Sequence, residues 1–126
     1  MDAAARKGDI QWNITQNPVV ITIQRTEKIR SGGGFNEVES TIGPFTVRIY
    51  NKAGQLPKDT HSLAGTKKTE VAWGLLADHA ADIKANSNVT DEFDVSGLGH
   101  FVVVGVFPQL VNGEIVGYQA DLERVS

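Results

Sequence analysis

The sequence contains no cysteine, so it can form neither disulfides nor thiolate metal sites. This absence fits an intracellular protein. Long hydrophobic runs are missing too, and no stretch approaches the ~20 apolar residues needed to span a bilayer. Residues 1–7 are followed by polar positions rather than the apolar core of a signal peptide. We therefore expect neither a secretory leader nor a membrane-inserted segment.

Basic charge is also scarce, because 12 lysines and arginines face 15 aspartates and glutamates, for a net charge of −3. Proteins that hold nucleic acid through its backbone usually carry a basic excess. A mildly acidic chain near DNA is better suited to lining a path than to gripping phosphates. The length of 126 residues fits one domain with a core of its own.

Turn signals, by contrast, are abundant, and two of them predict β-hairpins. Apolar stretches at 101–107 and 115–122 flank Asn112-Gly113, and Asn-Gly between such runs is the strongest short-range hairpin signal. The glycine-rich segment 31–34 provides a second turn. It follows a β-branched, alternating stretch at residues 19–29 and precedes another strand at residues 45–50, with Gly43-Pro44 predicted to interrupt the return.

Before the first strand, the sequence predicts an N-terminal arm, residues 1–17, that is helical over part of its length. Asp2 is suited to cap the helix, and Asn17-Pro18 ends it. Trp12 is expected to anchor this arm on an apolar surface. The remainder, residues 18–125, is expected to form the folded core.

The second half of the chain predicts further short strands. Residues 69–77 favour a strand, residues 80–84 a short helical turn, and residues 90–95 another strand. The polar segment 51–66 is expected to be a long exposed loop, of the kind that is often functional. Six or seven strands with few helices indicate a mainly β fold, a small antiparallel β-barrel.

Candidate chemical groups are few, and each has an ordinary structural interpretation. Asp78, His79 and Asp82 are metal-ligand types, but without a recognised spacing a solvated turn is the more common outcome. Glu92 and Asp94 share one face of a predicted strand, where an exposed carboxylate pair is more common than an acid–base pair. His100 is expected at the rim of the barrel. We predict no catalytic residue, no metal and no cofactor.

The tip of the first hairpin is expected to be basic, because Arg25, Lys28 and Arg30 precede Gly32-Gly33-Gly34. Such a tip can contact a DNA backbone or an acidic neighbouring subunit, although most such loops are simply solvated. Lys67-Lys68, at the end of the long loop, is interpreted in the same way. The glycines lack the Gly-Lys-Ser/Thr ending of a phosphate-binding loop, so they indicate turn flexibility.

The strand at residues 101–107 is apolar on both faces. Val102, Val104 and Val106 alternate with Phe101, Val103 and Phe107. Such a strand is buried on both sides, either within the fold or against another subunit. This pattern is a physical indication of assembly.

Several segments in this order resemble the small head–tail connector proteins of tailed phages and phage-like elements. They are residues 21–26, 32–35, 43–50, 73–78, 81–84 and 117–123, and the resemblance extends over residues 17–125. It implies a β-barrel subunit that closes the head after DNA packaging and joins it to the tail. It further implies an oligomeric ring between portal or adaptor and tail-completion proteins, with passive DNA contact in the channel.

On this resemblance, the protein is expected in the host cytoplasm during assembly and then in the neck of the particle. Its interaction loops are the tip at residues 25–35 and the loop at residues 51–66. The candidate residues are Arg25, Lys28, Arg30, Gly32, Gly33, Gly34, Phe35, Lys58, His61, Lys67 and Lys68.

Three alternatives remain open from the sequence. One is a barrel-type nucleic-acid-binding module that uses the basic tip with Phe35. Another is a tail-completion protein, since such proteins are also small and β-rich. The third is a metal-dependent enzyme built around Asp78, His79 and Asp82.

Overall fold

A computed structural model describes residues 2–52 and 73–125. Most of the loop predicted at residues 51–66, including Lys58 and His61, lies outside the described residues, as do Lys67 and Lys68. The described residues form one helix followed by six strands: α1 (Ala3–Thr15), β1 (Val19–Ser31), β2 (Gly34–Asn51), β3 (Trp73–Asp78), β4 (Val89–Val95), β5 (Gly99–Val111) and β6 (Glu114–Arg124).

The six strands form a closed antiparallel barrel in the order β1-β2-β3-β6-β5-β4, and pairing of β4 with β1 closes it. The mainly β prediction and the barrel architecture are therefore confirmed. Because neighbouring strands alternate in direction around the barrel, β1 and β5 run the same way. The β1–β2 and β5–β6 turns consequently lie toward the same end of the barrel, while residue 125 lies toward the other.

Alternation along the strands fills the interior of the barrel. Ile21 and Ile23 point inward from β1, and the ring of Phe101 lies edge-on to Trp73 at a centroid distance of 5.4 Å. Each fully buried aliphatic or aromatic side chain stabilises the fold by about 1.5–3 kcal/mol. The buried members of this core are Ile21, Ile23, Val47, Ile49, Leu75, Ala77, Ala81, Ile83, Phe93, Val95, Phe101, Val103, Ala120 and Leu122.

The helix packs outside this core through a second, smaller cluster. The carboxylate of Asp2 accepts a hydrogen bond from the Ala5 amide at 2.7 Å, which confirms the predicted cap. Ile10 and Ile14 are buried against Leu76 and Val116. The anchoring role predicted for Trp12 is wrong, since 65% of this residue is exposed. The four-residue spacing of the two isoleucines places both on one face, and Trp12 falls between them on another.

Two local predictions are corrected by the backbone. The helical turn expected at residues 80–84 does not form, because a turn at residues 79–80 leads into an irregular segment whose Ala81 and Ile83 point into the core. Gly43-Pro44 does not interrupt the return strand either. β2 continues through it with a β-bulge, where the pairing shifts from Ile21↔Phe45 to Ile23↔Ile42.

A bulge also changes the interpretation of β5. The pairing shifts between Val103 and Gly105, so the alternation of faces is reset at Val104. Phe101 and Val103 are buried before the shift, and Val106 packs against the core after it. Val104 and Phe107 are exposed. The strand is therefore not buried on both faces within the described residues.

The Asn-Gly turn offers a direct test of the hairpin. Asn112 and Gly113 both have positive φ, +53° and +79°, as a type I′ turn requires. Replacing the pair with Val-Val should destabilise the protein by about 1–2 kcal/mol per residue, the usual cost of the left-handed region. The measurement is thermal unfolding, with Gly113→Asn as the tolerated control. An unchanged melting temperature in the Val-Val variant would contradict this geometry.

Candidate interaction surface

A charge cluster centred on Arg25 lies at the base of the first hairpin, where the sequence predicts a solvated basic tip. Arg25, only 3% exposed, donates from Nε to Asp91 Oδ1 at 2.8 Å and from a terminal nitrogen to Asp91 Oδ2 at 3.0 Å. It also donates to Asp82 Oδ1 at 3.0 Å and to the Asp82 carbonyl at 3.2 Å. The backbone amide of Lys84 completes the cluster by donating to Asp91 Oδ2 at 2.7 Å.

These contacts account for the ionisation of the cluster. The hydrogen bond from Arg25 lowers the pKa of Asp82, while the bond to Asp91 raises the pKa of Arg25 further above its already high value. Arg25 joins β1 to β4 and to the irregular segment that carries Asp82. Its predicted place in an exposed basic tip is therefore wrong, because it continues the inward face of Ile21 and Ile23.

Beyond this cluster the first hairpin continues as a two-stranded ribbon, residues 28–39, which we call the β1–β2 extension. Pairing of β1 with β4 stops at Glu27, apart from one bond from the Lys28 amide to the Asn88 carbonyl. Pairing of β2 with β3 begins only at Arg48. The ribbon ends in a turn where Gly32 and Gly33 have φ of +53° and +89°, so glycine suits both positions.

The two faces of the extension differ in chemistry. Cross-strand pairs place Lys28, Arg30, Phe35, Glu37 and Glu39 on the face that continues the outside of the barrel. The opposite face, which continues the inside, carries the exposed apolar residues Ile29 and Val38. Sequence reasoning placed Lys28, Arg30 and Phe35 at this tip and missed Ile29 and Val38 as surface residues.

The second hairpin, at the same end of the barrel, also exposes apolar side chains. Phe107, Leu110 and Ile115 are exposed. The ammonium of Lys7 forms an ion pair with Glu114, which ties the turn to α1. One end of the molecule thus carries two hairpins with uncovered apolar residues, which makes it the candidate interaction surface.

A second charged group lies on the outer face of β4 and β5. His100 Nδ1 is 2.7 Å from Asp94 Oδ1, and His100 Nε2 is 2.6 Å from Glu92 Oε1. An imidazole donates from both nitrogens only when it is protonated. Hydrogen bonds with Asp94 and then Glu92 accordingly raise the pKa of His100. The sequence predicted His100 at the barrel rim and Glu92 and Asp94 on one face of a strand, and both predictions are consistent with this arrangement. Sequence reasoning did not predict that the histidine contacts the two carboxylates.

The raised pKa makes stability depend on pH. The contribution of protonated His100 is fully present below the unfolded pKa of about 6.5 and is lost as pH rises through the higher folded pKa. We expect a loss on the order of 1 kcal/mol or less, because Asp94 is well exposed to solvent. Thermal unfolding from pH 6 to pH 9 should show this decline, and His100→Gln should reduce it. Parallel curves for the two proteins would contradict the assignment.

The metal ligands considered from sequence are not brought together. Asp82 points to Arg25, and Asp78 Oδ1 accepts a hydrogen bond from the Ala80 amide at 3.0 Å. His79 is exposed. Across residues 2–52 and 73–125, no group of three or more metal-ligating side chains is placed to hold an ion.

A shallow polar cleft of about 400 Å³ lies beside the C-terminal end of α1, between this end and the outer face of β2, β3 and β6. Arg48 crosses it and donates to the carbonyl of Asn13 at 3.2 Å and also to its side chain. The cleft is lined by Asn13, Arg48, Tyr50, Asn51, Leu76 and Gln119. Because Arg48 is already hydrogen-bonded to Asn13 across the cleft, we interpret its role as holding α1 against the barrel.

Comparison of the chain with models of protein families, with characterised proteins and with solved structures finds no match. Within the described part of the chain, no helix combines the length and apolar character needed to cross a membrane.

Proposed function

We propose that this protein is a structural subunit of a phage or prophage head–tail connector, which closes the head after DNA packaging and joins it to the tail. The supporting observation is the barrel end with two projecting hairpins whose apolar residues, including Ile29, Phe35 and Leu110, are uncovered. A ring subunit that meets a portal or adaptor on one side and a tail-completion protein on the other needs such a surface. The specific role comes from the resemblance to connector proteins, which rests on several sequence segments and their order along the chain.

The charge of the chain agrees with a neck position. A net charge of −3 allows DNA to pass without being retained. The nucleic-acid-binding alternative relied on Arg25, whose guanidinium is buried and hydrogen-bonded to two aspartates. Lys28 lies opposite Glu37 across the hairpin, so the remaining basic charge of the extension is partly offset.

The test is electron microscopy of particles from a producer strain that lacks this gene. We expect separate mature tails beside tailless heads, many of them empty, because the joint between them would be missing. Complementation with the wild-type gene should restore tailed particles. Normal tailed particles in the deletion strain would remove the connector role. Filled heads with tails that fail to terminate would favour the tail-completion alternative.

A further inference from the structure

The β1–β2 extension has two open edges. On β2, no described strand pairs with residues 34–47 on the side away from β1, and Pro44 limits the usable edge to residues 34–42 because it has no N–H. On β1, residues 29–31 have no described partner on the side away from β2. Unpaired strand edges are templates for pairing with another chain.

The two edges carry opposite charges. Lys28 and Arg30 lie on β1, and Glu37 and Glu39 lie on β2, all on the same face of the ribbon. Contact between two β2 edges would bring carboxylates together, and contact between two β1 edges would bring cations together. Like charges on adjacent strands are destabilising, and opposite charges are favourable. The complement of each edge is therefore the other edge of a second copy of this chain.

We infer that extensions of neighbouring copies pair side by side, with the acidic β2 edge of one copy against the basic β1 edge of the next. Around a rotation axis along the strands, every β1 runs one way and every β2 the other. Each new contact is then antiparallel, like the pairing within the hairpin. A contact between two different edges generates a ring when the rotation closes. This inference specifies the subunit contact in the ring, and in that respect rests on the proposed function.

The test uses two charge-reversed full-length proteins, Lys28→Glu/Arg30→Glu and Glu37→Lys/Glu39→Lys. Sedimentation over a range of concentrations should show self-association of the wild type and at least about tenfold weaker association of each variant alone. An equimolar mixture should regain association with a 1:1 composition. Within each variant the hairpin carries like charges across its strands, so recovery on mixing can come only from contact between chains.

Asp9→Lys, an exposed charge change on α1, is the control and should associate like the wild type. Melting temperatures should verify that all variants are folded. A wild type that stays monomeric, variants that associate normally, or a mixture that fails to recover would each overturn the inference. Recovery on mixing together with normal particles in the deletion strain would keep the edge contact and reject the connector role. Defective particles in the deletion strain, together with a mixture that fails to recover association, would keep the connector role and reject the edge contact.

Discussion

Replacing Arg25 with methionine should destabilise the protein by about 3–5 kcal/mol, a large fraction of the 5–15 kcal/mol typical of a domain. The reason is the position of Asp91, whose side chain is fully buried and receives two hydrogen bonds from Arg25. Without the guanidinium, the carboxylate would keep the Lys84 amide as its one remaining donor among the described residues. Urea unfolding of the Arg25→Met variant measures this loss.

Two controls separate the buried pair from the exposed one. Asp82→Asn should cost no more than about 1 kcal/mol, because the Asp82 side chain is 48% exposed. The double variant Arg25→Met/Asp91→Leu should recover much of the loss, since apolar side chains often replace a buried ion pair at little cost. If Arg25→Met cost less than Asp82→Asn, the buried carboxylate would not depend on Arg25.

The arginine also shows how far the sequence predicted the structure. Strand periodicity placed Ile21 and Ile23 on one face of β1, and Arg25 is the next residue on that face. The alternation alone therefore pointed Arg25 inward, but nothing nearby in the sequence identified its partners. Asp82 and Asp91 are 57 and 66 residues away, and only closure of the barrel through β4 brings them together.

The turns were predictable because their chemistry is local. Asn112-Gly113 and the glycines at residues 32–34 define tight hairpins without help from the rest of the chain. The bulges in β2 and β5 were not predictable, because they depend on how each strand meets its neighbour. As a result, sequence reasoning correctly located the hairpins but did not foresee that the bulge in β5 leaves Val104 and Phe107 exposed on this chain.

For the candidate interaction surface, too, residues beside a local turn were predictable and residues whose exposure depends on the sheet were not. Lys28, Arg30 and Phe35 were found from their nearness to a predicted turn. Ile29 and Val38 were missed because apolar residues in an alternating strand ordinarily face the core. They are exposed because the first hairpin extends beyond β3 and β4, the strands that flank it. The length of a strand relative to its neighbours depends on the whole sheet, so the local sequence did not predict this exposure.

For the helix, truncation of Ile10 should have far more effect than truncation of Trp12, although tryptophan is the larger side chain. Ile10 is fully buried and its Cδ1 lies 2.7 Å from the position a Cβ would take at Gly117, so helix and strand are in close contact. Ile10→Ala should cost about 2–5 kcal/mol, because a cavity would remain beside Leu76 and Val116. The measurement is the free energy of unfolding in urea.

Trp12→Ala is the matched control, and its cost should stay within about 0.5 kcal/mol because the indole is mostly exposed. The Trp12→Ala variant also tests whether the exposed face of α1 contacts a partner. Since loss of an exposed aromatic leaves folding intact, any defect of Trp12→Ala in particle assembly would place α1 at a contact with a partner. Equal destabilisation by the two variants would instead show that the helix uses both faces, contrary to the packing through Ile10 and Ile14.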